Sequence, residues 1–375
     1  MRILLFHFAE LGGLGGVEVA VLKLAEALAG RKSVPAIVEI APERKPRRNL
    51  PSGAPVWSVT APSYPTLRRP RSWASFARAA LQFQSILREF RPDIVHVHYP
   101  IAQCFPTVGV SWFPHRWKLI VTAHGSDIRV APFQEPVIRA WQHRLFDRAD
   151  MITAVSHALL DDAAQLHDNF RGKARVVHNG VGPEWFQLPL QPDTNKNYVL
   201  YVGRLHPVKG VDILVTAWRT VAAAFPNTEL WIVGDGPEHQ NLLAMVNDLG
   251  IASRVRFLGS KKQEDLPPLY RDARAVMLPS RREGMPIGLL EAGACGAICI
   301  CTLIPGIPEI IEDGVNGYLI EPESPVELAN ALVRFLALPP ESSRSMRQAA
   351  RERILHSFSE DRMVSTYLET YQSLF

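Results

Sequence analysis

Tyr198-Val199-Leu200-Tyr201-Val202-Gly203-Arg204-Leu205-His206-Pro207-Val208-Lys209-Gly210 is the stretch on which the fold turns. Five aromatic, β-branched and leucine residues read as a buried strand, and the glycine behind them ends it. Ahead of it lies Pro189-Leu190-Gln191-Pro192-Asp193-Thr194-Asn195, a polar, proline-containing stretch suited to a linker. The same opening stands at the start of the chain. Ile3 to Phe8 is an apolar run, Gly12-Gly13-Leu14-Gly15-Gly16 is a glycine loop, and Val17 to Leu28 has helical apolar spacing. A pattern that begins twice in 375 residues predicts two sheets in tandem, and 41.8 kDa exceeds what one core usually holds.

Working outward, Ala36 to Ile40, Ile94 to Val97, Leu119 to Thr122 and Met151 to Val155 read as further strands of the first half. Glu229 to Val233 (before Gly234-Asp235-Gly236-Pro237), Val255 to Phe257 and Ala275 to Leu278 continue the second. Apolar strands alternating with helical or loop segments make a mostly parallel sheet covered by helices. Ligands of such sheets gather outside the C-terminal strand ends, where His124-Gly125-Ser126-Asp127 would stand. The first glycine loop lacks the third glycine of Gly-x-Gly-x-x-Gly, so a dinucleotide is not expected. It suits close backbone approach to a diphosphate or an acceptor hydroxyl.

In Pro279-Ser280-Arg281-Arg282-Glu283-Gly284-Met285-Pro286-Ile287-Gly288-Leu289-Leu290-Glu291-Ala292, two carboxylates flank a strand exit and a helix start. Pro286 is tolerated in the first helical turn, and the N–H groups of Met285, Ile287 and Gly288 are available to an anion. Two surface acids would produce the same spacing. Arg204 and Lys209, a planar fork and a mobile ammonium just past a strand end, suit a diphosphate. With Glu291 as acceptor of ribose hydroxyl protons they describe a nucleotide diphosphate site.

Composition narrows the class. The net charge is +4, yet residues 1–185 hold 23 Lys/Arg against 15 Asp/Glu while 186–375 hold 18 against 22. Arg44 to Arg91 carries ten basic residues and one acid, Glu89. Inside it Trp73, Phe76, Ala80, Phe83, Leu87 and Phe90 make one apolar helical face beside Arg78 and Arg88. That face suits either an anionic membrane surface or the helix's own sheet. Neither a recognition helix nor an aromatic-basic sheet motif accompanies the charge, so no nucleic acid partner is expected. No apolar run reaches 18 residues and residues 1–8 are too short for a signal peptide; the expected location is cytoplasmic, with the inner membrane surface as a possible site of association. Cys104, Cys295, Cys299 and Cys301 have no metal-ligand spacing and read as buried free thiols.

Taken in order, Gly15-Gly16-Val17-Glu18, His124-Gly125-Ser126-Asp127, Asn179-Gly180-Val181, Gly203-Arg204 with Lys209-Gly210, Gly234-Asp235-Gly236-Pro237, Pro279-Ser280, Glu283 with Glu291, and Gly306-Ile307-Pro308-Glu309 span nearly the whole chain. The set resembles the family 4 retaining glycosyltransferases. The resemblance implies an α/β GT-B fold, with two Rossmann-like domains facing across a cleft. An acceptor-side domain would cover 1–185, a donor-side domain 195–355, and a terminal helix, 358–375, would return to the first domain.

By that resemblance Arg204 and Lys209 hold the donor diphosphate, Glu283 faces the donor sugar, Glu291 binds the ribose, and His124 sits by the transferred sugar. Gly16, Gly234, Gly284, Met285, Pro286 and Ile287 complete the donor site; Gly15, Glu18 and Asp127 lie on the acceptor side. Acceptor choice would belong to loops at Gly12 to Gly16, Tyr99 to Phe105 and Asp127 to Gln134. Gly182 stands where an aspartate commonly follows Asn-Gly-Val, and Pro305 where a second glycine is usual. The implied activity is retaining transfer of a hexose from a UDP- or GDP-sugar to a glycan acceptor in polysaccharide assembly; the basic charge of the first half and the Trp73 to Phe90 face favour a lipid-linked acceptor over a small soluble one. No cofactor is implied and no metal required, since no Asp-x-Asp pair follows a strand. The alternatives are a sugar-nucleotide epimerase, a sugar phosphorylase, or a non-enzymatic binding subunit.

Overall fold

The computed structural model describes residues 1–11, 15–31, 33–61, 70–101, 116–167, 170, 172–192, 196–339 and 342–375, without the side chains of 70 and 71. Gly12-Gly13-Leu14, Cys104 and the rest of 102–105, and Asp193-Thr194-Asn195 lie outside the described residues. The chain divides into one unit of Met1–Asn179 with Glu360–Phe375 and a second of Gly180–Ser359.

In the first unit β1 (Arg2–His7), β2 (Val34–Ala41), β3 (Arg48–Asn49), β4 (Pro55–Thr60), β5 (Ile94–His98), β6 (Lys118–Ala123), β7 (Met151–Ala154) and β8 (Ala174–Val176) form one sheet. Its order is β3-β4-β2-β1-β5-β6-β7-β8, parallel throughout except at the β3–β4 edge. Ile3 to Phe6 and Ile94 to His98 are buried along their length, as strands covered on both faces must be. Two helices matter below: α1 (Gly16–Ala29) packs Val21, Leu24, Ala25 and Leu28 into the core, and α2 (Pro70–Phe90) lies over β4.

The amphipathic face expected on α2 is largely spent inside this unit. Phe83 meets Phe6 at a ring-centroid distance of 5.1 Å, Phe90 meets Trp57 at 5.6 Å and Phe76 meets Trp141 at 5.4 Å. Trp73 departs from the expected face: it is exposed, whereas Ala79 and Ile86, outside the pattern, are buried. The helical period carries the buried stripe around to those positions.

The second unit holds β9 (Tyr198–Val202), β10 (Glu229–Val233), β11 (Val255–Phe257), β12 (Ala275–Leu278), β13 (Cys299–Thr302) and β14 (Gly317–Ile320). Their order is β11-β10-β9-β12-β13-β14, all parallel. Counted along the chain this is 3-2-1-4-5-6, the Rossmann order, and its direction reverses between β9 and β12. Helix α3 (Val211–Ala224) seals one face with the fully buried Trp218, and α4 (Ile287–Ala294) follows the loop after β12. Cys295, Cys299 and Cys301 are buried free thiols of this core. The chain closes with α5 (Glu360–Gln372), whose Met363, Val364, Tyr367 and Tyr371 join the core of the first unit beside Ile3, Leu5 and Val21. Burial of each such large side chain is worth about 1.5–3 kcal/mol.

Candidate functional site

In the second unit the loops after β9 and β12 leave the sheet side by side at the reversal point, where an open α/β sheet leaves a crevice. Gly203-Arg204 starts the first loop. Its tightness depends on glycine elsewhere: Gly234, after β10, has φ +130°, and a Cβ there would overlap the Gly203 carbonyl oxygen. Gly210 has φ +63°, and a Cβ there would overlap the Pro279 carbonyl oxygen of the β12 loop. The two loops are also tied by Arg281. Its N–H donates to Val208 O (2.8 Å), and its guanidinium donates to Pro207 O (2.5 Å) and grips both Asp212 oxygens at 2.8 Å. Hydrogen bonding from Arg281 holds Asp212 below the ordinary carboxylate range, so the tie is charged on both sides at neutral pH.

These ties bring the predicted groups together. Lys209 Nζ donates to Glu283 Oε1 at 2.7 Å, and Ser280 Oγ donates to the same oxygen at 2.7 Å. Ser280 is fully buried, and its own carbonyl accepts from Thr302 Oγ1 at the end of β13 (2.5 Å). Arg204 is exposed, and its guanidinium has no hydrogen bond or ion pair with a described residue; its carbonyl accepts from the Tyr201 hydroxyl at 3.1 Å. The site thus holds a cation already neutralised by a carboxylate and a second cation open to solvent.

Helix α4 adds a polar end. Pro286 is its N-cap and not, as expected, a residue of its first turn; the Pro286 carbonyl accepts from Leu289 (3.1 Å) and Leu290 (3.4 Å). The difference is one residue, because φ −73° suits a helix while ψ 114° does not. The N–H groups of Ile287 and Gly288 have no acceptor among the described residues, as expected at an open helix start. Gly284 precedes this end half-buried, and Met285 beside it is buried. Glu291, one turn in and buried, accepts from Gln263 Nε2 at 3.1 Å. At the other end, Arg351 donates to Ala294 O (2.9 Å) and Arg347 to Gly296 O (3.1 Å), cations where the helix dipole favours them.

In the first unit Gly15 caps α1 in extended backbone and Gly16 begins it. Both are exposed, and a Cβ on Gly15 would meet nothing within 4 Å. Glu18, in the same first turn, is buried. His124 follows β6. Asp127 is fully buried and accepts from the N–H groups of His124 (3.0 and 3.1 Å) and Gly125 (2.6 Å), so it shapes its own loop. Burial raises Asp127 to about 6, against the lowering by these N–H groups. The His124 ring does not hold that loop. Its Nε2 lies 3.0 Å from Nδ1 of His98, the last residue of β5. Burial, and then His7, lowers His124 to about 3, so the ring is a neutral hydrogen-bonding group and not an acid at pH 7.

Glu283, Pro286, Ile287 and Glu291 therefore gather on the loop and helix after β12, Lys209 reaches Glu283 from the loop after β9 that also carries Arg204, and Gly234 lies on the loop after β10. Gly15, Gly16, Glu18, His124 and Asp127 belong to the other unit. Sequence reasoning missed Ser280 as a partner of Glu283, Gln263 as a partner of Glu291, and His98. The last had a signal: His96-Val97-His98 alternates on a strand exit. Gln263 had none.

Comparison with known proteins follows the same division. A model for "Glycosyltransferase Family 4" matches residues 14–185, and one for "Glycosyl transferases group 1" matches 187–353. The chain is 31% identical over 288 residues to the N-acetyl-alpha-D-glucosaminyl L-malate synthase of Bacillus anthracis, covering 74% of each. It is 28% identical to a D-inositol 3-phosphate glycosyltransferase of Mycobacterium sp. (strain KMS), covering 91% of this chain and 81% of the relative. Among solved structures, the sucrose-phosphate synthase of Thermosynechococcus elongatus superposes with a TM-score of 0.82 at 21% identity, covering 100% of this chain and 99% of that one. Anabaena HepE, in complex with UDP and glucose, superposes with a TM-score of 0.79 at 21% identity over 100% of both chains.

Proposed function

The chain belongs to glycosyltransferase family 4 and has the GT-B fold, and from that premise we propose that it transfers a hexose from a UDP- or GDP-sugar with retention at the anomeric carbon. The observation that carries the reading is the pairing of Lys209 with Glu283 beside the open N-terminus of α4, one turn ahead of Glu291. Lys209 and Arg204 meet the donor diphosphate, joined by the Ile287 and Gly288 N–H groups. Glu283 faces the sugar hydroxyls and Glu291 the ribose. His124 accompanies the transferred sugar as a neutral imidazole, and Gly15, Gly16 and Glu18 serve the acceptor side. Asp127 acts there through the backbone of His124 and Gly125 that it holds. HepE, which shares the fold, was solved with UDP and glucose, which supports a uridine donor.

In the reaction the bond from the anomeric carbon to the diphosphate oxygen breaks, and the acceptor oxygen bonds to that carbon on the same face. The departing phosphate oxygen takes the acceptor's proton, so no protein nucleophile is needed. Negative charge grows on the diphosphate as it leaves, and preorganised cations are most effective against charge that develops in the transition state. Arg204 and Lys209 supply them, and no metal is required. Incubation with a panel of nucleotide sugars and acceptors, with and without a chelator, tests this. Anomeric proton couplings showing an inverted linkage, or activity abolished by the chelator, overturn it.

For the acceptor, a lipid-linked glycan is supported by the basic charge of the first half; burial of most of the α2 apolar face removes the other support. Among the described residues no helix is long and apolar enough to cross a membrane. A second reading, a small anionic acceptor, is favoured by the names of the relatives, which carry malate and inositol phosphate. Product analysis with both acceptor classes, beside flotation on anionic liposomes, separates the two.

A further inference from the structure

We propose that His98 is a positioning residue that fixes the ring orientation and tautomer of His124, leaving His124 Nδ1 as the nitrogen offered to the transferred sugar. The inference rests on the reading of His124 given above. His98 ends β5 and His124 follows β6; the strands are parallel neighbours, with His98 in register with Thr122. That register sets the two imidazoles at adjacent strand exits, His98 Nδ1 to His124 Nε2 at 3.0 Å. Two neutral imidazoles joined in this way adopt complementary tautomers, one donating and the other accepting. The bond occupies Nε2 of His124, so the tautomer of His98 decides whether His124 Nδ1 is a donor or an acceptor.

His98 is itself held. Its ring lies against that of His96, centroids 4.0 Å apart. His96 is fixed at both nitrogens, Nδ1 to the Tyr371 hydroxyl of α5 at 2.8 Å and Nε2 to Thr122 Oγ1 at 2.6 Å. All these groups are buried, and burial keeps His96 and His98 well below the ordinary imidazole range, so neither competes by taking a second proton. Asp127 and His98 therefore divide the task, the first fixing the backbone of His124 and the second its ring. Removing the outer partner that orients a metal-bound histidine costs about 10–100-fold in activity, and a loss of the same order is expected for a histidine oriented towards a sugar.

The test uses the whole protein labelled with 15N in histidine. Long-range 15N–1H spectra at pH 7 without substrate are compared with those of His124→Gln, which identifies the His124 ring. The parent should show one neutral tautomer and His98→Phe, which keeps an aromatic ring but no nitrogen, a mixture. His98→Asn, whose side-chain amide can reach the place of Nδ1, should restore one tautomer. Hydrolysis of UDP-glucose should fall in kcat by about 10–100-fold in His98→Phe and largely recover in His98→Asn, with KM nearly unchanged. A tautomer mixture in the parent, or an unaltered His124 in folded His98→Phe, overturns the proposal. Should His98→Phe not fold, a mixture in His98→Asn overturns it and a single tautomer supports it. The spectra need no substrate, so a parent inert towards the whole panel of nucleotide sugars and acceptors refutes the functional reading while the positioning of His124 is decided by the spectra.

Discussion

Lys209 and Glu283 each have a part in the proposed site, yet in this structure they neutralise one another at 2.7 Å. A bound diphosphate therefore has to compete with Glu283 for the ammonium, whereas Arg204 is available at once. Arg204→Ala and Lys209→Ala are each expected to lower turnover by about 10²–10³-fold, since a group stabilising developing charge is worth about 3–4 kcal/mol. Both should remain folded: Arg204 is exposed, and Glu283 keeps the Ser280 hydroxyl when Lys209 is lost. Steady-state assays of both variants within twofold of the parent would place the diphosphate elsewhere. Glu291→Ala should weaken binding of UDP or GDP, read by isothermal titration, more than it lowers the melting temperature. Residue types at these positions were legible because strand exits end in glycine and polar side chains. The Lys209–Glu283 pairing was not, because 74 positions separate the two and only the order reversal of the sheet joins them.

At the scale of elements, β9, β10 and β12 were legible as apolar runs ended by glycine or proline. Strands β4, β8, β13 and β14 were not. Cys299–Thr302 lies inside a longer apolar stretch, Ala294 to Leu303, where strand and helix end cannot be told apart by period, and Gly317–Ile320 opens on a glycine directly behind Asp313-Gly314-Val315-Asn316, so its start reads as a turn. The glycines of the strand exits offer a contrast that tests how the donor loops are built. Gly234→Ala puts a Cβ onto the Gly203 carbonyl at φ +130°, a backbone region essentially reserved for glycine, at a cost of about 1–3 kcal/mol. It should lower the melting temperature and, by moving Gly203 and Arg204, weaken UDP or GDP binding. Gly15→Ala meets open space and exchanges one N-cap residue for a poorer one, about 1 kcal/mol or less. Equal melting temperatures for Gly234→Ala and the parent would show that this close approach does not constrain the loops.

Over the whole molecule the two halves differ in net charge, which the sequence showed, and in buried histidine, which it did not. Among the described residues His7, His96, His98, His124 and His167 are buried, all in the first unit. Burial lowers each, His7 to about 4 and His124 and His167 to about 3, with His96 and His98 well below the ordinary value near 6.5. The folded state then binds fewer protons than the unfolded chain below pH 6.5, so the stabilisation is complete above that value and is lost as pH falls towards the folded-state values. Each group can contribute up to about 1.4 kcal/mol per pH unit. Asp127 opposes the trend: raised to about 6, it binds more protons folded than unfolded between that value and its ordinary one near 4, but it is one group against five. In the second unit the lowered carboxylates Asp212 and Glu229 act in the same direction as the histidines, but only below their ordinary values near 4. Between pH 6.5 and 4.5 the first unit is therefore expected to lose stability while the second is nearly unaffected. Hydrogen exchange at pH 7 and pH 5, corrected for the intrinsic rate, should show protection falling in β1, β5 and β6 before β9, β10 and β12. Equal loss in both sheets would mean that the buried imidazoles are not what sets the acid limit of this fold.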